Sequence, residues 1–325
     1  MAMRRSRLFF LSLVIFAIQS FAAVAQYPTR TVTIIVPFPP GGGTDTGARL
    51  LAQRLTQRWG QTVIVENRPG AAGALGADYV SRQKPDGYIL LMGNFGTQSI
   101  NPTLYGKKLA YNPDTAFTPI TLVADLPLVL VVNPGVAATS AQDLIAMAKA
   151  QPGKLAYSSS GSGGSMHLAG ALFESASATQ MLHVPYKGGG PAISDLIAGH
   201  VSLSFATILE TSGHIKSGRL RALAVTGLAR SPALPDVPTL ADTALPGFNS
   251  SSWIGLLAPA GTPQKVVDQI AADVKDALKS ADLRQQFIDQ GALPVGGTPA
   301  EFQALIDNDR RRYAKIINEK NITVE

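Results

Sequence analysis

The feature that most limits what this chain can fold into is an alternation of two patterns. Short β-branched or apolar runs fall at 31–36, 62–66, 88–92, 119–123, 128–132, 154–158, 182–185, 201–205, 221–226 and 253–258, and stretches with helical spacing lie between them at 46–58, 72–83, 140–150, 166–175 and 190–199. Strands that alternate with helices in this way predict α/β architecture with mostly parallel sheets. From residue 262 the pattern becomes all helical. Thr262-Pro263 reads as an N-cap followed by Pro at the first helical position, and Val266, Ile270, Val274 and Leu278 then share one face. Thr298-Pro299-Ala300-Glu301 has the spacing of a capping box, with an apolar stripe of Phe302, Leu305, Ile306, Tyr313, Ile316 and Ile317 beyond it. Both stripes are expected to pack in the core.

Four strand-to-helix junctions are rich in Gly, Ser or Pro. They are Pro37-Phe38-Pro39-Pro40-Gly41-Gly42-Gly43-Thr44-Asp45, the stretch 93–99, Ser158-Ser159-Ser160-Gly161-Ser162-Gly163-Gly164-Ser165, and Tyr186-Lys187-Gly188-Gly189-Gly190-Pro191. A strand that turns through such a loop into a helix leaves unpaired N–H groups at the positive end of the helix dipole, which suits an anion. The 37–45 loop has no P-loop Lys and does not read G-x-G-x-x-G, so a carboxylate fits better than a phosphate or dinucleotide. An ordinary turn punctuated by Pro and Gly is the alternative reading of any one such loop. In open α/β sheets ligands bind beyond the carboxyl ends of strands, where loops of this kind gather.

At the start of the chain, Arg4, Arg5 and Arg7 precede an apolar run from Leu8 to Val24 and the small residues Ala23-Val24-Ala25. That order predicts a secretory signal peptide at 1–25, cleaved after Ala25, rather than a membrane anchor, because Ser12, Gln19 and Ser20 interrupt the run. Removing three Arg lowers the net charge from +6 to +3, which is too balanced for a nucleic-acid partner. The chain has no cysteine, so its core must hold it without disulfides. Export, no anchor and a large core together predict a soluble protein of a bacterial periplasm with two domains.

Nothing in the residues specifies chemistry. His167, His183, His200 and His214 have no second ligand at metal spacing, so no metal and no cofactor is expected. Gly163-Gly164-Ser165-Met166-His167 has His where the nucleophile elbow ends in Gly, so Ser165 reads as a donor or cap rather than a nucleophile. Asp273, Asp276, Asp282 and Asp289 sit at helical polar positions and are expected to be solvated. A binding protein needs no catalytic group.

Several blocks in one order carry a family resemblance across the mature chain. Val36-Pro37-Phe38-Pro39-Pro40-Gly41-Gly42, Val65-Glu66-Asn67-Arg68-Pro69-Gly70, Pro85-Asp86-Gly87-Tyr88, His183-Val184-Pro185-Tyr186-Lys187-Gly188, Leu220-Arg221-Ala222-Leu223-Ala224-Val225-Thr226, Ser231-Pro232-Ala233-Leu234-Pro235-Asp236-Val237-Pro238-Thr239 and Ala258-Pro259-Ala260-Gly261-Thr262-Pro263 resemble the Bug family. These are the substrate-binding receptors of tripartite tricarboxylate transporters. The resemblance implies a type II periplasmic binding protein, two α/β domains joined by two crossover segments, with the ligand in the cleft between them. It also implies a small carboxylate, a di- or tricarboxylate or an aromatic acid, held largely by loop amides and ordered water.

Residue by residue, the resemblance implies a first-domain site at Pro39, Pro40, Gly41, Gly42, Thr44 and Asp45, with Gly96, Thr97, Gln98 and Asn101. The second domain would contribute Ser159, Ser160, Gly161, Gly163, Ser165 and His167, then Tyr186, Lys187 and Gly188, and Thr207. Two departures stand out. Val201-Ser202-Leu203-Ser204-Phe205-Ala206 lacks two carboxylates common in the family, which argues against an amino-acid ligand if position 206 faces the cleft. Ser162 stands where a longer Asn is common, which leaves room for a bulkier or more apolar ligand such as an aromatic acid.

The expected organisation is a discontinuous domain one at 26–123 plus 228–325 and a domain two at 124–227. The expected mechanism is hinge closure on the ligand followed by docking on membrane permease subunits, with the receptor a monomer that binds no nucleic acid. A sensor subunit for a membrane signalling protein is the alternative. An exported hydrolase using Ser165 and His167 would require a third residue that orients His167.

Overall fold

The computed structural model describes residues 27–186 and 188–323, so the expected signal peptide and Lys187 lie outside the described residues. The first part of the chain runs β1 (Val32–Val36), α1 (Gly43–Trp59), β2 (Val63–Asn67), α2 (Ala74–Ser81) and β3 (Ile89–Asn94), then a π-helical turn at Gly96–Ile100 and the short α3 (Asn101–Tyr105). β4 (Phe117–Val132) leads to α4 (Ala141–Ala150), β5 (Ala156–Ser159), α5 (Ser165–Ser177), β6 (Leu182–Pro185), α6 (Gly189–Ala198), β7 (Leu203–Thr207), α7 (Ile208–Lys216) and β8 (Arg221–Val225). The chain returns through α8 (Leu240–Thr243) to β9 (Ser251–Pro259), α9 (Gln264–Ala277), α10 (Ala281–Asp289), β10 (Leu293–Pro294) and α11 (Pro299–Glu319). Among the described residues no helix is long and apolar enough to cross a membrane.

The strands form two sheets that share β4, in the order β2-β1-β3-β9-β4-β7-β5-β6. Residues Phe117 to Pro127 of β4 pair with β9, and Leu128 to Val132 pair with β7 and β8. The two runs expected at 119–123 and 128–132 are therefore one strand. Asp125-Leu126-Pro127 looks like a turn in sequence, but pairing with β9 through Pro127, with β10 on the other edge at Asp125, keeps the backbone extended up to Leu128, where pairing with β7 takes over. The expectation of mostly parallel sheets also needs correction. β1–β2, β1–β3, β5–β6 and β5–β7 are parallel, whereas every described pairing of β4, β9 and β10 is antiparallel. Each domain is built from parallel βαβ units, and the strands that cross between domains run back through them.

The second crossing lies beside the first. Thr226 N–H donates to Leu128 O at 2.9 Å, Leu128 N–H donates to Thr226 Oγ1 at 3.1 Å, and Ser250 N–H donates to Thr226 O at 2.9 Å. One threonine thus stitches both connections together.

Each sheet is buried on both faces, as parallel sheets require. In the first, Leu51, Leu55, Ile254 and Val274 pack on one side, and Phe95, Trp253, Phe302 and Tyr313 pack on the other. The C-terminal stripes are core, with Ile270, Val274, Phe302 and Tyr313 at most 1% exposed. Thr298 makes the expected capping box, while α9 starts one residue later than expected, with Pro263 at its N-cap. Asp273 is not merely solvated. It accepts from Arg58 Nε at 2.6 Å and Trp59 Nε1 at 2.8 Å, and so pins α9 to the end of α1.

Candidate functional site

Between the two sheets lies a cleft of about 420 Å³. One wall is the Ser/Gly loop from Ser160 to Ser165, with Gly188 beside it. The facing wall comes from Phe38, Ala72, Asn94, Gly96, Asn101, Leu104, Tyr105 and Ser252. No described lining residue carries a formal charge.

The Ser/Gly loop is held from beneath by two histidines. The His167 and His183 rings stack with centroids 3.6 Å apart and planes within 5°. His167 Nδ1 accepts the N–H of Gly163 at 3.0 Å, and His183 Nε2 shares a hydrogen bond with Ser159 Oγ at 2.7 Å. Ser159 Oγ in turn accepts from Gly161 N–H at 3.2 Å. Burial, with His183 as a like neighbour, pulls the His167 pKa down to about 3, and burial pulls His183 down to about 4. Both rings are therefore neutral at ordinary pH, as an accepting Nδ1 on His167 requires. Gly163 has a φ of +77° and sits against the Leu104 side chain from the other wall, so a side chain there would be strained and would close the cleft.

The helix that follows has an open end. Gly164 is the N-cap of α5 and supplies no side-chain bond. None of the hydrogen bonds among the described residues uses the hydroxyls of Ser160, Ser162 or Ser165, which line the cleft. By contrast, helices away from it are closed by their own side chains, at Ser140, Thr239 and Thr298.

The Pro/Gly loop before α1 is arranged differently. Pro39, Pro40, Gly41 and Gly42 are exposed, and Phe38 is its one residue on the cleft wall. Asp45, 3% exposed, turns back so that Oδ2 accepts from Gly41 N–H at 2.9 Å and Arg49 Nε at 3.0 Å, while Oδ1 accepts from Asn67 Nδ2 at 2.8 Å. Burial alone would raise this carboxyl, but the Arg49, Gly41 and Asn67 bonds together hold it below the ordinary value. Thr44 is buried within 3.5 Å of Asn94 Nδ2.

The remaining expected residues divide. Gly96 and Asn101 line the cleft, with Asn101 Nδ2 donating to Ala72 O at 3.0 Å. Thr97 and Gln98 are buried in the π-helical turn and do not line it. Gln98 O accepts from Arg310 Nε at 2.6 Å. Tyr186 turns its hydroxyl to Asp195 at 2.7 Å. Thr207 caps α7, donates to Glu210 Oε2 at 2.8 Å, and lines a separate small pocket with Gly43, Gly47 and Gly291. Ala206 is fully buried among Val129, Val131 and Ile208, so the condition for arguing against an amino-acid ligand is not met. Phe38, Ala72, Asn94, Leu104, Tyr105, Ser162, Gly164 and Ser252 were not expected. Of these, Phe38, Asn94, Ser162 and Gly164 lie in loops that the sequence marks.

A hydrolytic reading loses its geometry. His167 Nδ1 is engaged by Gly163, its ring is packed on His183, and no described bond joins it to Ser165. Among the described residues no group of three or more His, Cys, Asp or Glu could hold a metal ion.

Residues 47–322 match the family described as "Tripartite tricarboxylate transporter family receptor". Protein BugT of Bordetella pertussis is 38% identical over 293 residues, 90% of this chain and 90% of BugT. Among solved structures, R. palustris Rpa4515 with adipate matches with a TM-score of 0.82 and 35% identity, over 91% of this chain and 99% of that one. MatC of Rhodopseudomonas palustris with bound malate matches at 0.77 and 32%, over 90% and 100%.

Proposed function

The chain belongs to the tripartite tricarboxylate transporter receptor family, also represented by BugT, a family of solute-binding receptors rather than enzymes, and from that membership we propose that it captures a small carboxylate in the periplasm and delivers it to membrane permease subunits. The observation that carries this reading is the cleft between the sheets, where the open end of α5 and three uncommitted serine hydroxyls face a wall from the other domain. Backbone N–H groups and hydroxyls at a helix N-terminus are a natural seat for a carboxylate. The ligands of the two solved relatives, adipate and malate, support the class.

Domain one comprises 26–123 and 228–325 and domain two 124–227 in this reading, with the hinge where β4 changes partners and Thr226 ties the crossings. A ligand that touches both walls gains contacts only when they close, so it shifts the population toward the closed form. That form docks on the permease. The site residues are the Ser/Gly loop, Gly188, Gly96 and Asn101 directly, with Asp45, Ser159 and His167 holding the loops in place.

A thermal-shift screen with mono-, di- and tricarboxylates and aromatic acids tests the reading. A concentration-dependent rise in Tm for carboxylates is expected, because a ligand of the native state stabilises it by mass action. No rise with any of them, at concentrations up to the millimolar range, would sink it.

A further inference from the structure

We propose that the ligand is a monocarboxylate with an apolar or aromatic body, its carboxylate on the Ser/Gly loop at the start of α5 and its body against Phe38, Leu104 and Tyr105. The proposal rests on the receptor reading above and narrows the ligand class within it.

Four helices start at glycine N-caps near the cleft without a side-chain cap: α1 at Gly42, α2 at Gly73, α5 at Gly164 and α6 at Gly188. The start of α2 is taken up by the turn before it, where Ala74 N–H donates to Ala71 O and Leu75 N–H to Gly70 O at 3.5 Å. Each of the other three is a potential anion seat, and two already have a carboxylate beside them. The Asp45 carboxylate accepts the Gly41 N–H in front of α1. The Glu210 carboxylate, reaching from α7, lies against Gly189 at the first turn of α6. A ligand carboxylate brought to either would face a like charge as well as a helix end. The α5 end has no such acid. The side chain that turns back there is His167, which makes the same bond four residues upstream as Asp45 but is neutral.

The opposite wall offers little to a second carboxylate. The amide of Asn101 donates to Ala72 O, the carbonyl oxygen of Asn94 accepts from Thr97 N–H, and no described lining side chain is cationic. What that wall does present is the Phe38 ring, the Leu104 side chain and the Tyr105 ring. A second carboxylate buried there would lose its hydration without charged compensation from any described lining residue, whereas an alkyl or aryl body gains by burial. No hydrogen bond among the described residues uses the hydroxyls of Tyr105 and Ser252, which leaves room for one neutral polar substituent.

The test is calorimetric titration of the purified receptor with hexanoate, adipate, 3-phenylpropanoate and malate. Hexanoate and adipate differ chiefly in whether the far end is a methyl or a second carboxylate. The expected result is that hexanoate and 3-phenylpropanoate each bind at least about tenfold more tightly than adipate or malate. Phe38→Ala is expected to weaken 3-phenylpropanoate by about tenfold, and Glu210→Gln to strengthen adipate severalfold by removing the acid at the second seat. Adipate or malate binding as tightly as the monocarboxylates, or no gain for adipate in Glu210→Gln, would overturn the one-seat account and leave the carboxylate receptor standing. Failure of all four to bind in the millimolar range would also overturn the one-seat account, and the thermal-shift screen over all carboxylate classes then decides whether the receptor reading falls with it.

Discussion

The Pro/Gly loop before α1 and the Ser/Gly loop before α5 are built to one plan. Each leaves a strand, turns through glycines and enters a helix at a glycine N-cap. In each, the third helical residue reaches back to accept the N–H four positions earlier, Asp45 from Gly41 and His167 from Gly163. The mechanical role is the same and the charge is not. Asp45 puts a carboxylate, paired with Arg49, on its helix end, while His167 braces its loop as a neutral ring and leaves the positive end of α5 for something else. Loops alike in shape can therefore differ in whether an anion is still wanted.

The comparison can be broken most directly by moving the charge. His167→Asp should keep a back-bonding acceptor while placing a carboxylate beside the Ser/Gly loop. Two like charges a few ångströms apart near a protein surface repel by several kcal/mol, so carboxylate affinity should fall by at least about hundredfold in calorimetry. Retention of affinity would show that the loop is not the seat.

The next effect is on stability. Asp45→Asn removes a charge that binds Gly41, Arg49 and Asn67, and should lower the unfolding free energy by about 2 kcal/mol in urea titrations. A loss below about 0.5 kcal/mol would mean that the carboxylate does not hold its loop.

A smaller effect follows from pH. The folded His167 and His183 titrate near pH 3 and 4, below the ordinary 6.5, so on acidification the unfolded chain takes up protons that the native state refuses. Stability contributed by the neutral rings is complete above pH 6.5 and is lost as pH falls to about 4 for His183 and about 3 for His167. From His167 alone the loss between pH 6.5 and 5.5 should be about 1 kcal/mol. His167→Gln should flatten that slope in urea midpoints measured across the range, and an unchanged slope would argue that the ring is already protonated in the fold.

The smallest effect is expected at Gly42. It has negative φ, and nothing lies within 4 Å of where a Cβ would stand, so Gly42→Leu should cost less than about 0.5 kcal/mol in stability. Gly163→Leu, with positive φ and Leu104 in contact, should abolish measurable binding. If Gly42→Leu lost binding as completely as Gly163→Leu, the Pro/Gly loop would take a larger share of the ligand than Phe38 alone.

The alternation of short strands with helical stretches, the capping signal at Thr298 and the stripes at Ile270, Val274, Phe302 and Tyr313 were readable from the residues, because each rests on neighbours within a turn or two of the chain. The loops that gather at the cleft were marked by Gly, Ser and Pro for the same reason. Tertiary structure decided the rest. Pairing with β9, β7 and β8 made one long strand of what locally looks like strand, turn, strand, and set the crossing strands antiparallel to their neighbours. Packing brought Leu104 to Gly163 and stacked His167 on His183 across sequence separations that carry no local signal. Above all, the sequence by itself could say that several helix ends might hold an anion. Which were already occupied depended on whether an acid such as Asp45 or Glu210 folds back within contact distance, a matter of three-dimensional approach that no spacing of residues encodes.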